Sequence, residues 1–213
     1  MKKGIKPIRP SNLGWLEYKL DTQEMDYVWR CIENKKGKYK FHLAGIIDSS
    51  YELNDRNDWF FNNTIKPLII EYSHNFWNLG DTVATTLYHQ FCLNKWWVNY
   101  QKQNEFNPLH DHTGVYSFVI WMKIPEGAGY KKQNQNEISR MANCHPLSTF
   151  QFVYTDMLGK TQIHYYQLEK EDEGTMVIFP SSLRHQVYPF YNCDEERISV
   201  SGNISADSLK SSA

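Results

Sequence analysis

The sequence has few cysteines, and no two of them lie close together. Cys31, Cys92, Cys144 and Cys193 are far apart along the chain and form no CxxC pair. A disulfide framework in a small secreted scaffold needs several cysteines at short, regular spacings. We therefore expect four reduced thiols in an intracellular protein.

The chain also lacks an excess of charge of either sign and any long apolar run. Its 23 Lys and Arg residues are balanced by 24 Asp and Glu residues, so charge gives no general attraction to nucleic acid or to anionic lipid. No run is long enough to span a bilayer, and the basic N-terminal segment has no apolar stretch of the signal-peptide type. These absences predict a cytoplasmic protein, in the host cytoplasm if it is viral, with neither membrane nor nucleic acid as partner.

Helical patterns occur in the first half of the chain. Asp21 followed by Glu24 has the form of a capping box, which predicts a short helix from this point. Residues 57–80 carry apolar side chains at spacings of three and four and predict a longer helix, with Pro67 expected to kink or divide it. Residues 39–47 partly alternate and predict a strand between the two helices.

From Trp96 onward the pattern changes to short apolar or alternating runs separated by polar turns. The strand candidates are WWVNY, VYSFVIWMKI, TFQFVYT, QIHYYQL, TMVIF, HQVYPF and RISVSGNI. They predict a mainly β (α+β) fold, an antiparallel barrel or jelly roll with the helices packed outside. One domain is expected, with a helix-rich supporting region at residues 1–95, a strand core at 96–204 and a flexible tail at 205–213.

The segment NPLHDHTGVYSF places His110, Asp111 and His112 just ahead of a strand-forming run. In an extended chain, residues two apart point to the same side, so His110 and His112 share a face and Asp111 points away. Neutral imidazole is the commonest ligand for a catalytic first-row metal. A third ligand from a distant strand would complete such a site, and His185 is the best candidate.

His185 opens one alternating run, and Arg197 opens the next after the polar segment YNCDEE. If that segment is a hairpin turn, the Arg197 guanidinium lies on the order of 10 Å from the backbone of His185. This distance suits a five-carbon dicarboxylate that chelates the metal through a 2-oxo acid end and offers its far carboxylate to a bidentate Arg fork. Ser199, on the same face as Arg197, can add a hydrogen bond.

These residues resemble the motifs of the iron(II)- and 2-oxoglutarate-dependent oxygenases, in which HxD or HxE is followed much later by His and then by Arg. The resemblance covers residues 96–204, and NPLHDHTGVYSF is similar to a branch, common in marine phage and bacteria, that carries HxH. It implies a double-stranded β-helix (a cupin-like jelly roll), iron(II) and 2-oxoglutarate as cofactors, dioxygen as a further substrate, and hydroxylation with release of succinate and CO2.

Three ligand sets remain open at this point, because position 112 is His where most of the family has a carboxylate. The first consists of His110, His112 and His185. The second replaces His112 by Asp111, which requires a bulge to turn Asp111 inward. The third begins at His112 and has Gly114 in the carboxylate place, as in related halogenases that bind a halide there.

Asn99 and Tyr100 lie on the predicted strand before the HDH motif, where related enzymes often contact 2-oxoglutarate. Both are candidates for that role.

Two other functions remain: a three-histidine cupin dioxygenase that uses no 2-oxoglutarate, and a jelly-roll binding module without catalysis. The Arg197 and Ser199 pair argues against the first, which needs no such cation.

The polar segment 126–146 joins two predicted strands and contains Gly127 and Gly129. A loop of this length over a scaffold often carries substrate contacts. We expect it to be mobile and to close over the metal when substrate binds. Its run of amide side chains favours a peptide over a small acid as the primary substrate, which the sequence does not otherwise identify.

Overall fold

The computed structural model describes residues 12–40, 43–84 and 89–208. The elements in chain order are β1 (Leu16–Lys19), α1 (Thr22–Glu33), β2 (Ser49–Glu52), α2 (Lys66–Asn75), β3 (His89–Gln101), β4 (Asn107–His110), β5 (Tyr116–Lys123), α3 (Tyr130–Gln133), β6 (Thr149–Thr155), β7 (Thr161–Gln167), β8 (Thr175–Pro180), β9 (Arg184–Val187) and β10 (Arg197–Ser208). The seven predicted strands of the second half correspond to β3 and β5 to β10.

The strands form two antiparallel sheets. The large sheet has the order β1-β8-β5-β10-β3-β2, and the small sheet has the order β4-β9-β6-β7. From β3 to β10 the chain passes repeatedly from one sheet to the other, which is the winding of a jelly roll. The predicted double-stranded β-helix is therefore confirmed, with β1 and β2 added at the two edges of its large sheet.

The large sheet is buried on both faces, because successive residues of a strand point to opposite sides and both sides are covered. The helices cover its outer face. Residues packed there include Val98, Phe118, Ile120, Met176 and Ile178. The inner face packs against the small sheet through Val119, Trp121, Val177, Phe179, Phe150 and Phe152. The space between the two sheets is only partly filled, and what remains open is the cavity of the functional site.

The predicted capping box begins α1. The Asp21 carboxylate accepts the backbone N–H of Glu24 at 2.8 Å, and the Glu24 carboxylate accepts the N–H of Asp21 at 2.9 Å. Glu24 is buried and also accepts the hydroxyls of Tyr18 at 2.9 Å and Thr64 at 2.7 Å. The cap thus ties α1 to β1 and to the helical segment ahead of α2.

The second predicted helix is present in a less regular form. A π-helical segment, Phe61–Ile65, leads into α2, and Pro67 lies in the first turn of α2. A proline is tolerated there because the first N–H groups of a helix have no partner within it. Pro67 therefore marks a helix start. No helix in the described ranges is long and apolar enough to cross a membrane.

The strand predicted at residues 39–47 is wrong for its described part; residues 41 and 42 lie outside the described ranges. The backbone N–H of Leu43 donates to the carbonyl of Lys40 at 3.0 Å, and Ile46 forms one isolated bridge with Phe106. The edge of β3 is already paired with β2. This segment therefore does not pair with β3.

The strands β1, β2 and β4 were not predicted. Each has four residues, too few for alternation to stand out. The predicted flexible tail is wrong at residues 205–208, since β10 continues to Ser208 in register with His89. Residues 209–213 lie outside the described ranges.

Candidate metal centre

The centre is built where β4 and β9 lie side by side in the small sheet. His110 is the Cα partner of His185 in this antiparallel pairing. Two residues beyond the end of β4, the backbone N–H of His112 donates to the carbonyl of Ser181 at 2.9 Å. This bond ties the segment after β4 to the segment before β9 and brings the third imidazole to the other two.

The three imidazole rings form a compact triangle. The ring centroids are 4.9 Å apart for His110 and His112, 4.3 Å for His110 and His185, and 4.9 Å for His112 and His185. One ring nitrogen of each histidine lies within 4.8 Å of the corresponding nitrogens of the other two. In the part of the chain that the structure describes, this is the only group of three or more His, Cys, Asp or Glu side chains arranged so.

The hydrogen bonds of two histidines leave a nitrogen free for a metal. Nδ1 of His110 lies 2.7 Å from the carbonyl of Pro108, and Nδ1 of His185 lies 2.9 Å from the carbonyl of Leu183. Because a carbonyl can only accept, Nδ1 must carry the proton in both rings, and the lone pair of a neutral ring is then on Nε2. A backbone carbonyl behind the imidazole is the usual support for a metal-binding histidine.

Burial keeps these imidazoles neutral. Desolvation lowers the pKa of His185 well below its usual value, and the neighbouring imidazoles lower it further. The pKa of His112 falls to about 4, first through burial and then through His110. Burial also lowers the pKa of His110. Neutral nitrogen ligands gathered in a partly buried site fit a divalent first-row ion.

The two alternative ligand sets have less support in this geometry. Asp111 is exposed and does not belong to the group of three converging ligands. Gly114 has a φ of +119°, and a Cβ at this position would lie 2.9 Å from the carbonyl oxygen of Ile204. Both the backbone conformation and the lack of space therefore disfavour a side chain at position 114. The ligand set that begins at His112 also omits His110, which is one of the three converging imidazoles.

The three histidines open into a cavity of about 340 Å³ between the two sheets. One wall is polar and is made by alternate residues of β3 and β10, whose antiparallel register pairs Asn99 with Ser199 and Gln101 with Arg197. The opposite part is apolar. It includes Trp121, Phe150, Phe179 and Val187. The cavity therefore combines a metal-binding group, a polar wall and an apolar wall.

Arg197 is a buried cation in this cavity, with only 2% of its surface exposed. Its Nε and Nη2 donate to Oε1 of Gln101 at 3.1 and 2.7 Å, its Nη1 donates to the Ser148 hydroxyl at 3.0 Å, and its Nη2 also donates to the Tyr188 carbonyl at 3.3 Å. Neither of the two ion pairs found in the described ranges involves it.

Burial lowers the pKa of Arg197 to about 10, so the side chain remains charged at neutral pH. A buried charge with only neutral partners is unfavourable unless a counter-ion joins it. The environment of Arg197 thus fits the far carboxylate of a dicarboxylate bound in the cavity.

Of the remaining predicted site residues, two line the cavity and one does not. Ser199 and Asn99 line the cavity, and the Oδ1 of Asn99 accepts the Ser50 hydroxyl at 2.7 Å. Tyr100 faces the opposite side of β3, where its ring packs edge-on against Tyr51 at 5.9 Å. Strand alternation requires this difference, because adjacent residues cannot share a face.

Sequence reasoning missed Gln101 and Ser148, the two side chains that hold the guanidinium of Arg197. Gln101 lies two residues after Asn99, so alternation along β3 was a signal that could have identified it. Ser148 precedes β6 and reaches Arg197 through tertiary structure, and the sequence carries no signal for it.

The predicted hairpin between His185 and Arg197 is wrong. The strand β9 pairs with β4 and β6 in the small sheet, whereas β10 pairs with β3 and β5 in the large sheet. The two residues face the same cavity from opposite sheets. Their proximity therefore comes from sheet packing, and no hairpin register links them.

The segment 126–146 does not line the cavity. Gln133 is buried, and its side chain bonds to the carbonyls of Gly127 and Tyr191 and to the N–H of Tyr191. This amide serves the packing of the segment against the chain before β10. The expectation that the loop amides recognise a peptide therefore has no support in this conformation.

Comparison with known proteins identifies the family. The family model described as 2OG-Fe(II) oxygenase matches residues 95–203. These residues contain the three histidines, Arg197 and all strands of the jelly roll apart from the outer ends of β3 and β10. Among curated proteins, none matches the sequence significantly.

Solved structures are similar to this chain at low sequence identity. A prolyl-4-hydroxylase from Pseudomonas putida has a TM-score of 0.51 at 13% identity, with 91% of this chain and 92% of that chain covered. An oxidoreductase of the 2OG-Fe(II) oxygenase family from Burkholderia pseudomallei has a TM-score of 0.48 at 14% identity, covering 90% and 84%. A prolyl hydroxylase from Trichoplax adhaerens has a TM-score of 0.49 at 11% identity, covering 92% and 84%.

Proposed function

Because the chain belongs to the 2OG-Fe(II) oxygenases, we propose that its iron(II) is bound by His110, His112 and His185 and that Arg197 binds the far carboxylate of 2-oxoglutarate. The protein is an enzyme that uses iron(II) and 2-oxoglutarate. The observation that carries the residue assignment is the convergence, in one cavity, of three neutral imidazoles and one buried cation that forms no ion pair with any described residue. Family membership decides against a cupin dioxygenase without 2-oxoglutarate and against a binding module.

When bound, iron(II) and 2-oxoglutarate supply the oxidation: the oxo acid loses CO2 to give succinate, one oxygen atom of dioxygen enters succinate, and the other enters the substrate as a hydroxyl group. The chain contributes position and environment. The carbonyls of Pro108 and Leu183 accept the Nδ1–H groups of His110 and His185, which leaves the lone pair of each ring on Nε2. The buried rings of Phe150 and Phe179 form part of the apolar wall of the cavity.

Three neutral imidazoles make the proposed ligand set one charge unit more positive than two imidazoles and a carboxylate. The oxo acid end of 2-oxoglutarate is an anion, so this set should hold it at least as well. Arg197 and the Ser199 hydroxyl meet the other carboxylate along the polar wall of β10. Asn99 lies opposite Ser199 on β3 and provides a further polar contact.

A side chain on a peptide is the substrate class that we propose, with hydroxylation as the reaction. The support is the position of the histidines: His110 and His112 are partly exposed and the neighbouring Asp111 and Thr113 are exposed at the same end of the cavity. A side chain can enter from this end while its backbone remains outside. A small metabolite that enters alone is the competing substrate class.

The test is succinate release by purified protein loaded with iron(II), measured with a peptide library and with a set of small metabolites. A peptide-stimulated rate with a mass gain of one oxygen atom in the peptide supports the proposal. Stimulation by a metabolite alone would replace the substrate class, and absence of 2-oxoglutarate binding by the loaded wild-type protein would contradict the residue assignment.

A further inference from the structure

Gln101 holds one complete edge of the Arg197 guanidinium. It is 4% exposed and lies directly opposite Arg197 in the pairing of β3 with β10. Its Oε1 accepts both Nε and Nη2 of Arg197, while its Nε2 donates to the carbonyl of Glu105 at 2.6 Å. Because a carbonyl can only accept, this last bond fixes the orientation of the amide. The oxygen of Gln101 therefore faces the cation.

Counting the donors of Arg197 shows what remains for a ligand. A guanidinium has five N–H groups. Gln101 accepts two of them, the Ser148 hydroxyl accepts one, and the Tyr188 carbonyl accepts one. The Ser148 hydroxyl itself donates to the carbonyl of Ala128. One N–H, on Nη1, has no partner in the described ranges.

This count changes the expected geometry of carboxylate binding. A bidentate fork at the Nε and Nη2 edge requires both N–H groups, and Gln101 already occupies that edge. The free Nη1 donor and the Ser199 hydroxyl are the groups left for a carboxylate in this conformation. Every hydrogen-bond partner of Arg197 among the described residues is neutral, so none of them compensates its positive charge.

We propose that Gln101 is a positioning residue for 2-oxoglutarate: it fixes the guanidinium by one edge and, as a neutral amide, leaves the charge of Arg197 for the far carboxylate of the cosubstrate. The inference rests on the proposed function, which assigns Arg197 to 2-oxoglutarate. A carboxylate at position 101 would have almost the same shape but would serve as a permanent counter-ion. The choice between amide and acid at this position then decides whether the cavity accepts a dicarboxylate.

The substitution Gln101→Glu tests the inference, because it changes the charge with little change in shape. The protein is loaded with Mn(II), and 2-oxoglutarate binding is measured by calorimetry. We expect at least a tenfold loss of 2-oxoglutarate affinity, with unchanged Mn(II) affinity and a melting temperature equal to or above that of the wild type. Gln90→Glu is the matched control, since Gln90 is an exposed residue of the same strand, and it should bind 2-oxoglutarate as the wild type does.

Pyruvate provides a readout that general distortion of the site would not reproduce. It has the same oxo acid end as 2-oxoglutarate but no far carboxylate. Gln101→Glu should therefore leave the affinity for pyruvate unchanged while the affinity for 2-oxoglutarate falls. Equal losses for both ligands would mean a distorted site and would overturn the positioning role.

Two further variants separate this inference from the proposed function. Gln101→Met removes the acceptor without adding charge, which should weaken 2-oxoglutarate binding severalfold, and it keeps the test available if Gln101→Glu does not fold. Arg197→Met tests the cosubstrate assignment itself. If Arg197→Met loses 2-oxoglutarate binding while both Gln101 variants bind it normally, only the role of Gln101 is refuted. If Arg197→Met binds normally, the proposed function fails at its cosubstrate residue.

Discussion

His110 lies directly opposite His185 in the antiparallel pairing of β4 with β9, with their ring centroids 4.3 Å apart. Two of the three proposed iron ligands are therefore set by the register of one strand pair. A shift of β4 by one residue in this register would turn His110 to the other face of the sheet, away from His185. The geometry of the centre depends on how the small sheet pairs.

The first prediction concerns iron binding. His185→Ala should abolish the binding of one iron(II) per chain, because it removes the most buried of the three converging imidazoles. Asp111→Ala should retain it. Iron content after anaerobic loading and desalting measures both. His74→Ala, at an exposed position of α2, is the control, and loss of iron in Asp111→Ala would restore the ligand set with a carboxylate.

The second prediction concerns the cosubstrate. Arg197→Met should weaken 2-oxoglutarate binding about 10- to 100-fold, because a hydrogen bond to a charged group contributes about 1.5–3 kcal/mol. Iron content should stay close to that of the wild type. Calorimetry with the Mn(II)-loaded protein measures the affinity. Arg184→Met removes an exposed arginine of β9 and should leave binding unchanged.

The third prediction concerns Gly202 in the middle of β10. A Cβ at this position would lie 2.6 Å from the Phe118 ring and 2.9 Å from Cβ of Trp96. Gly202→Ala should therefore lower the free energy of unfolding by about 1–3 kcal/mol through overpacking. Gly37→Ala, where a Cβ meets no atom within 4 Å, should change it by less than about 0.5 kcal/mol. Urea unfolding compares the two variants. Equal stability of the two would show that Phe118 and Trp96 can move aside at little cost, and it would contradict the prediction.

The fourth prediction concerns the buried cap of α1. Glu24→Ala leaves the N–H of Asp21 and the hydroxyls of Tyr18 and Thr64 without their acceptor. The free energy of unfolding should fall by about 2–3 kcal/mol. Glu33→Ala removes the same charge at the exposed end of α1 and should have an effect below about 0.5 kcal/mol. A loss confined to far-UV helical signal, with unchanged urea midpoint, would contradict the tertiary role of Glu24.

The fifth prediction concerns alkaline stability. Burial, and then the neighbouring Tyr116, raises the pKa of Tyr72, whose hydroxyl donates to the carbonyl of Gly14 at 2.9 Å. Because the folded state disfavours the phenolate, this contribution is complete below the unfolded pKa of about 10 and is lost as pH rises above it. Tyr72→Phe should therefore lose stability less steeply above pH 10 than the wild type in urea unfolding. Tyr165→Phe, at an exposed position, should keep the wild-type slope.

The sequence by itself predicted the seven strands that became β3 and β5 to β10, and it gave His110, His112 and His185 as one of three possible ligand sets. Alternation reports which side of a strand a residue faces, and this was enough to find the seven runs of the jelly roll and to place His110 and His112 on one face. Both Asn99 and Tyr100 remained candidates from the sequence, although neighbours on a strand cannot share a face. The capping box at Asp21 and Glu24 was equally readable, because its hydrogen bonds are local.

Only the tertiary structure decided which strands pair and which side chains meet across the cavity. Alternation carries no information on the partner of a strand, so His185 and Arg197 were placed in one hairpin although β9 and β10 belong to different sheets. Ser148 reaches Arg197 from the segment before β6, and Gln101 reaches it through the register of β3 with β10. These contacts join positions far apart in the chain, and they form only when the two sheets pack, because packing fixes distances that sequence spacing leaves free.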